Sequence, residues 1–347
     1  MALVELKCRN CNGDLHIESS LEKAFCPYCG TPYIVKDEII HQQITNNINI
    51  NGENINVYAN KDFDIQGGVL KKYNGEALDV VIPETVRVIE GEAFADLSIE
   101  KVTIPGTVRE MRCTYAYEKG AFSGCKFLTE VILSEGVSTI GAGAFKKCSS
   151  LQHIRIPNSV TTIESMAFLG CQSLQHVIIP NGVTIIKSGA FSGCSSLREI
   201  ILPDSIKEIG DAAFSGCSSL EKVSLPDGLT IISDRLFSDC CSLVEVTLPM
   251  SVKRINNWAF NGCSSLVGVH SQRKQVIISN CAFDHCNKLT EVPVYILEGD
   301  RTQIEWYFGE YSPLSRRLRN LCQYCGSEFS FFTERCKNKN CKRPKDY

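Results

Sequence analysis

"AFSGCSSL" occupies residues 190–197 and returns at 213–220. With its Phe as a ruler, the same element falls at Phe122, Phe145, Phe168, Phe191, Phe214, Phe237, Phe260 and Phe283, always 23 residues apart. Cysteine follows three residues later each time, from Cys125 through Cys148, Cys171, Cys194, Cys217, Cys240 and Cys263 to Cys286. An earlier copy at Phe94 lacks the cysteine, which makes nine copies. A fixed period of this length is the signature of a stacked repeat.

Each copy has one internal grammar. In LREIILPDSIKEIGDAAFSGCSS, Leu197, Ile200 and Leu202 make a short apolar run with strand alternation. Pro203 stops the strand because it cannot donate to a ladder, and Asp204 supplies turn chemistry. A second extended piece points Ile206 and Ile209 inward, and DAAFSGC reads as one helical or 3-10 turn ended by Gly216. No copy can bury these residues alone, but stacked copies bury them together. The expected fold is therefore a repeat solenoid, with short β-strands and helical turns, roughly 40 Å long at a strand spacing of about 4.8 Å.

The pattern LxxIxIPxSVTxIxxxAFxGCxSL, as in LQHIRIPNSVTTIESMAFLGCQSL at 151–174, resembles the BspA-type leucine-rich repeat. The resemblance spans roughly residues 70–297 and implies a curved solenoid that offers an adhesion or interaction surface.

The ends read differently. Cys8-x2-Cys11 and Cys26-x2-Cys29 bring four thiolates within reach of one tetrahedral zinc ion. Cys322-x2-Cys325 with Cys336 and Cys341 repeats the idea at a wider second spacing. Both sets hold four cysteines with no open position, so they predict two structural Zn2+ sites in small zinc ribbons. The expected organisation is a zinc ribbon at 1–37, a linker at 38–61, the capped nine-repeat leucine-rich-repeat solenoid at 62–297, and a cap with a zinc-ribbon tail at 298–347. Of the 19 cysteines, only Cys113, Cys241 and Cys281 then lack a role.

The formal net charge of −3 does not point to bulk binding of a polyanion. No apolar run reaches the roughly 18–20 residues that cross a bilayer, and the first residues lack the apolar core of a signal peptide. A cytoplasmic location with reduced thiols is the expectation. No HExxH, GxSxG, phosphate-binding loop or GxGxxG after a strand occurs, so no catalytic residue is named.

Function is expected on the outward strand positions, where His153, Arg155, His176, Ile178, Glu199 and Ile201 form a mixed polar and apolar surface suited to protein contact. An insertion between Pro105 and Phe122 adds Tyr115 and Tyr117 as contact residues. The reading is a non-enzymatic protein–protein interaction scaffold. The alternatives are nucleic-acid association through the ribbons and a basic tail, and a surface or host-directed adhesin. That tail, residues 316–347, carries nine Lys/Arg against three acids.

Overall fold

The structure, a computed structural model, describes residues 62–114, 119–273, 275–279, 281–292 and Leu314, together with the backbone strands Leu3–Lys7, Asp14–Glu18, Lys23–Phe25, Pro32–Ile34 and Tyr295–Leu297. The repeats stack as a parallel β-solenoid in which each coil has three edges.

The first edge is built from the apolar run before the proline. Its strands run from Asp79–Val81 and Lys101–Ile104 through Glu130–Leu133, His153–Arg155 and His176–Ile178. They continue as Glu199–Ile201, Lys222–Ser224, Glu245–Leu248 and Gly268–Ser271. Pairing is parallel and in repeat register, with Val131 beside Ile154 and Ile154 beside Val177, and the hydrogen-bonded ladder is interrupted between His176–Ile178 and Glu199–Ile201 and between Lys222–Ser224 and Glu245–Leu248. Alternation then sends the central residue of each strand inward and its two neighbours outward. The second edge carries two- and three-residue strands such as Thr162–Ile163 and Ile185–Ile186, again parallel, with Ile163 and Ile186 fully buried.

The third edge corrects the expected helical or 3-10 turn, because no helix forms there. Around Phe191, the N–H groups of Ala190, Ser192 and Cys194 close tight turns within the coil, onto Lys187, Gly189 and Phe191. Those of Gly189, Phe191 and Gly193 instead donate to Asp211, Ala213 and Ser215 of the next coil, at 2.9, 2.8 and 2.7 Å. A helix needs consecutive right-handed residues bonded along the chain. Here left-handed residues interrupt the run, and alternate donors leave the coil sideways. The left-handed residues stand two before and two after the Phe, as at Gly189 (φ +64°) and Gly193 (φ +72°). Among the described residues, all ten non-glycine residues with positive φ, including Met166, Arg235 and Trp258, occupy one of these two places.

The core is a column. The nine Phe rings stack face to face with centroids 4.6–5.9 Å apart and planes within 19° of parallel. Tyr73 continues the column beyond Phe94 at 5.2 Å, and its N–H donates to Ala93 as each Phe donates to the next coil. Tyr73 is thus the Phe of an incomplete first coil. Phe63 ends the column, on an antiparallel hairpin (Phe63–Gln66 with Val69–Tyr73) that turns through Gly67 and Gly68, both at positive φ. At the other end Leu314, buried, donates to the carbonyl of Leu289.

A ring with neighbours on both faces stabilises more than one at the end of the column. Phe191→Ala is expected to cost about 3–5 kcal/mol, and Phe63→Ala distinctly less. Urea unfolding followed by circular dichroism checks this, and equal losses would contradict a continuous column.

Candidate interaction surface

Outward residues of the first edge form two rows that cross the strands. One row reads Asp79, Lys101, Glu130, His153, His176, Glu199, Lys222 and Glu245. The other reads Val81, Thr103, Ile132, Arg155, Ile178, Ile201, Ser224, Thr247 and His270.

The first row is largely satisfied within the chain. Lys101 pairs with Glu130 at 3.2 Å, and Glu199 stands in register with Lys222. The rings of His153 and His176 lie parallel, 6.1 Å apart. The second row is apolar at its middle: Ile178 is 79% exposed, Ile201 62% and Ile132 38%. Arg155 stands in register between Ile132 and Ile178. Its guanidinium makes no ion pair or hydrogen bond among the described residues. The nearby carboxylate of Glu135 is held by the N–H groups of Asn158 and Ser159, each at 3.1 Å, which with the Arg155 charge keep it below the usual carboxylate range. A groove of about 530 Å3 opens here, lined by Ile132, Leu133, Glu135, His153, Arg155 and Pro157.

The structure therefore brings His153, Arg155, His176, Ile178, Glu199 and Ile201 together on one face. Gly268 departs from the pattern. It is buried, and a Cβ there would come within 2.7 Å of Nε2 of His270, whose ring folds over it.

Tyr115 and Tyr117 lie outside the described residues. Their insertion leaves and re-enters the coil as two antiparallel arms: Cys113 bridges Gly120, and the Thr114 N–H donates to Lys119 at 3.0 Å. Sequence reasoning missed that the hydrogen-bonded ladder of the second edge breaks beside the insertion, between Glu110–Met111 and Thr139–Ile140, and again between Glu208–Ile209 and Ile231–Ile232, where there is no insertion. A groove of about 470 Å3 lies at the first break, where a Cβ on Gly141 would collide with the Met111 carbonyl.

The eight repeat cysteines are free and fully buried. Each thiol donates at 3.0–3.3 Å to the carbonyl of the Phe one coil earlier. Burial pushes the thiols of Cys125, Cys171 and Cys217 up to about 12. Burial also raises Cys113 and Cys281, the opposite of activation. Cys241 is exposed.

The proposed zinc ligands Cys8, Cys11, Cys26, Cys29, Cys322, Cys325, Cys336 and Cys341 lie outside the described residues. The described backbone strands near the first four are two antiparallel pairs, Leu3–Lys7 with Asp14–Glu18 and Lys23–Phe25 with Pro32–Ile34. Among the described residues, no three His, Cys, Asp or Glu side chains converge as a metal site. None of the described residues forms a helix long and apolar enough to cross a membrane.

A 23-residue coil with this strand, turn and Phe column defines a parallel solenoid of the leucine-rich-repeat class. The description of the BspA type leucine rich repeat region matches in six copies, over residues 70–198, 115–240 and 184–298, and the chain belongs to that family. No curated protein matches it. Among solved structures it is similar to a leucine-rich repeat protein from Eubacterium ventriosum (19% identity, 65% of this chain and 66% of that one, TM-score 0.47). It is also similar to one from Bacteroides ovatus (24%, 67% and 73%, 0.41). A third is a leucine rich cell surface protein from Faecalibacterium prausnitzii (21%, 70% and 93%, 0.34).

Alkylation of the folded chain should label Cys241 quickly and leave the eight ladder cysteines unlabelled until denaturant is added. Peptide mapping by mass spectrometry reads this directly, and rapid native labelling of Cys194 would contradict the buried ladder.

Proposed function

We propose that this chain is a non-enzymatic protein–protein interaction scaffold whose binding surface is the outward face of the first strand edge. The observation that carries the reading is the exposed run Ile132, Ile178 and Ile201 around an Arg155 that no described residue pairs. Exposed apolar side chains flanked by polar ones suit a protein partner. Charges on this face alternate in sign along the first row, which does not favour nucleic acid there. A reducing, cytoplasm-like compartment suits a core that carries eight free thiols.

Two structural zinc ions complete the proposal. Cys8, Cys11, Cys26 and Cys29 would hold one, and Cys322, Cys325, Cys336 and Cys341 the other. Four thiolates at these spacings close a tetrahedral site and stabilise segments too small for a core of their own.

Cross-linking capture with the full chain tests the surface. Arg155→Glu and Ile178→Asp are expected to lose partners that a substitution on another face, such as Lys187→Glu, retains. Retention of every partner by both variants would sink the surface. Metal analysis is expected to return about two zinc per chain, falling by one when Cys8 and Cys11 are both replaced by Ser. A zinc content near zero would remove the ribbons.

A further inference from the structure

The surface proposed above also constrains the shape and charge of what sits on it. A partner that covers Ile132, Ile178 and Ile201 must cover Arg155 as well, because Arg155 stands between the first two. Removing a guanidinium from water without a counter-charge is strongly unfavourable. Glu135 supplies only part of one: its carboxylate feels the Arg155 charge, but its oxygens are turned to the backbone N–H groups of Asn158 and Ser159, and no carboxylate of the described residues forms a direct ion pair with Arg155. A carboxylate on the partner, which a guanidinium receives through two parallel hydrogen bonds, supplies the direct pair.

The spacing selects the partner's backbone. Successive residues of the row lie on successive coils; at the usual strand spacing of about 4.8 Å, Ile132 to Ile201 spans about 14 Å over three steps, the last of which passes between strands packed without a hydrogen-bonded ladder. An extended peptide lying along the row presents one side chain every two residues, about 6.7 Å, and overshoots by nearly 6 Å over the same steps. An α-helix presents one side chain per turn of 5.4 Å, and its error over three turns is about 2 Å, which side-chain flexibility absorbs. The groove beside Arg155 gives such a helix a seat against Leu133 and Pro157.

Resting on the proposed function, we infer that the occupant of this face is an amphipathic α-helix of a partner protein, laid across the strands, whose contact stripe reads aliphatic, carboxylate, aliphatic, aliphatic on successive turns. The carboxylate meets Arg155, and the aliphatic residues meet Ile132, Ile178 and Ile201.

The test uses the full chain and a fluorescein-labelled, lactam-bridged helical peptide carrying Leu, Glu, Leu and Leu at positions i, i+4, i+7 and i+11. A second helix carries Lys in place of the Glu. A third peptide is extended and unbridged, with the same four side chains at alternate positions. Fluorescence anisotropy is expected to show the Glu helix binding at least about tenfold more tightly than the Lys helix. Arg155→Glu should reverse that order, and Ile178→Asp should weaken the Glu helix by a similar factor. Unchanged circular dichroism melts establish that both variants fold. Equal affinity for the two helices, tighter binding of the extended peptide, no binding of any peptide, or dimerisation of the chain lost in Ile178→Asp would each overturn the inference. If the helices fail while Ile178→Asp still loses captured partners, only the helical occupant falls. If Ile178→Asp loses no captured partner, the surface itself falls.

Discussion

The hydrogen bond from each Phe N–H to the next coil, 2.7–3.1 Å long from Phe94 to Phe260, sets the spacing on which the rest of the solenoid depends. It fixes one coil over the next at the point where the largest side chain is buried. The rings then stack at nearly constant separation, and most strands of the other two edges pair in register. The left-handed residues on either side of the Phe are the local condition for this bond. They turn alternate N–H groups out of the coil, where a helix would have kept them inside. Strain of about 1–2 kcal/mol at a non-glycine residue in this conformation is outweighed by a complete inter-coil ladder, since an unpaired buried donor costs a comparable amount.

The same geometry gives the cysteines their role. Each Phe carbonyl already accepts the N–H of the cysteine three residues on, and its second lone pair faces the following coil. The thiol arriving there is a small hydrophobe with a weak donor, which fills the space and meets the carbonyl without the desolvation a hydroxyl would suffer. Phe94 completes the logic. Leu97 stands three residues after it in place of cysteine, in the coil that packs on the incomplete first one.

Much of this was legible in the sequence because the interior repeats. The Phe ruler, the proline stops and the cysteine column each follow from positions that face the same surroundings in every coil. Three features were not legible. Tyr73 serves as a Phe at a spacing of 21 residues, without the preceding alanine, so the ruler passed over it. The left-handed sites are hidden by Glu92, Lys147, Met166, Arg235 and Trp258, which accept the strain and look like ordinary turn residues. The breaks in the second ladder, one beside Gly141 and one between Glu208–Ile209 and Ile231–Ile232, leave no common mark in the repeat.

The face follows from the same alternation. In the first strand edge the inward residue is Val80, Val102, Val131, Ile154, Val177, Ile200, Val223, Val246 or Val269, β-branched in every coil. One residue further along, the outward position holds Val, Thr, Ile, Arg, Ile, Ile, Ser, Thr and His in turn. Packing dictates the first set and leaves the second free. The outward row nearer the strand start uses that freedom to neutralise itself, as Lys101 and Glu130 do. The Ile132 to Ile201 row does not: it leaves apolar surface in water and a guanidinium with no direct ion pair, neither of which the fold requires. A partner that supplies apolar surface and one carboxylate satisfies both.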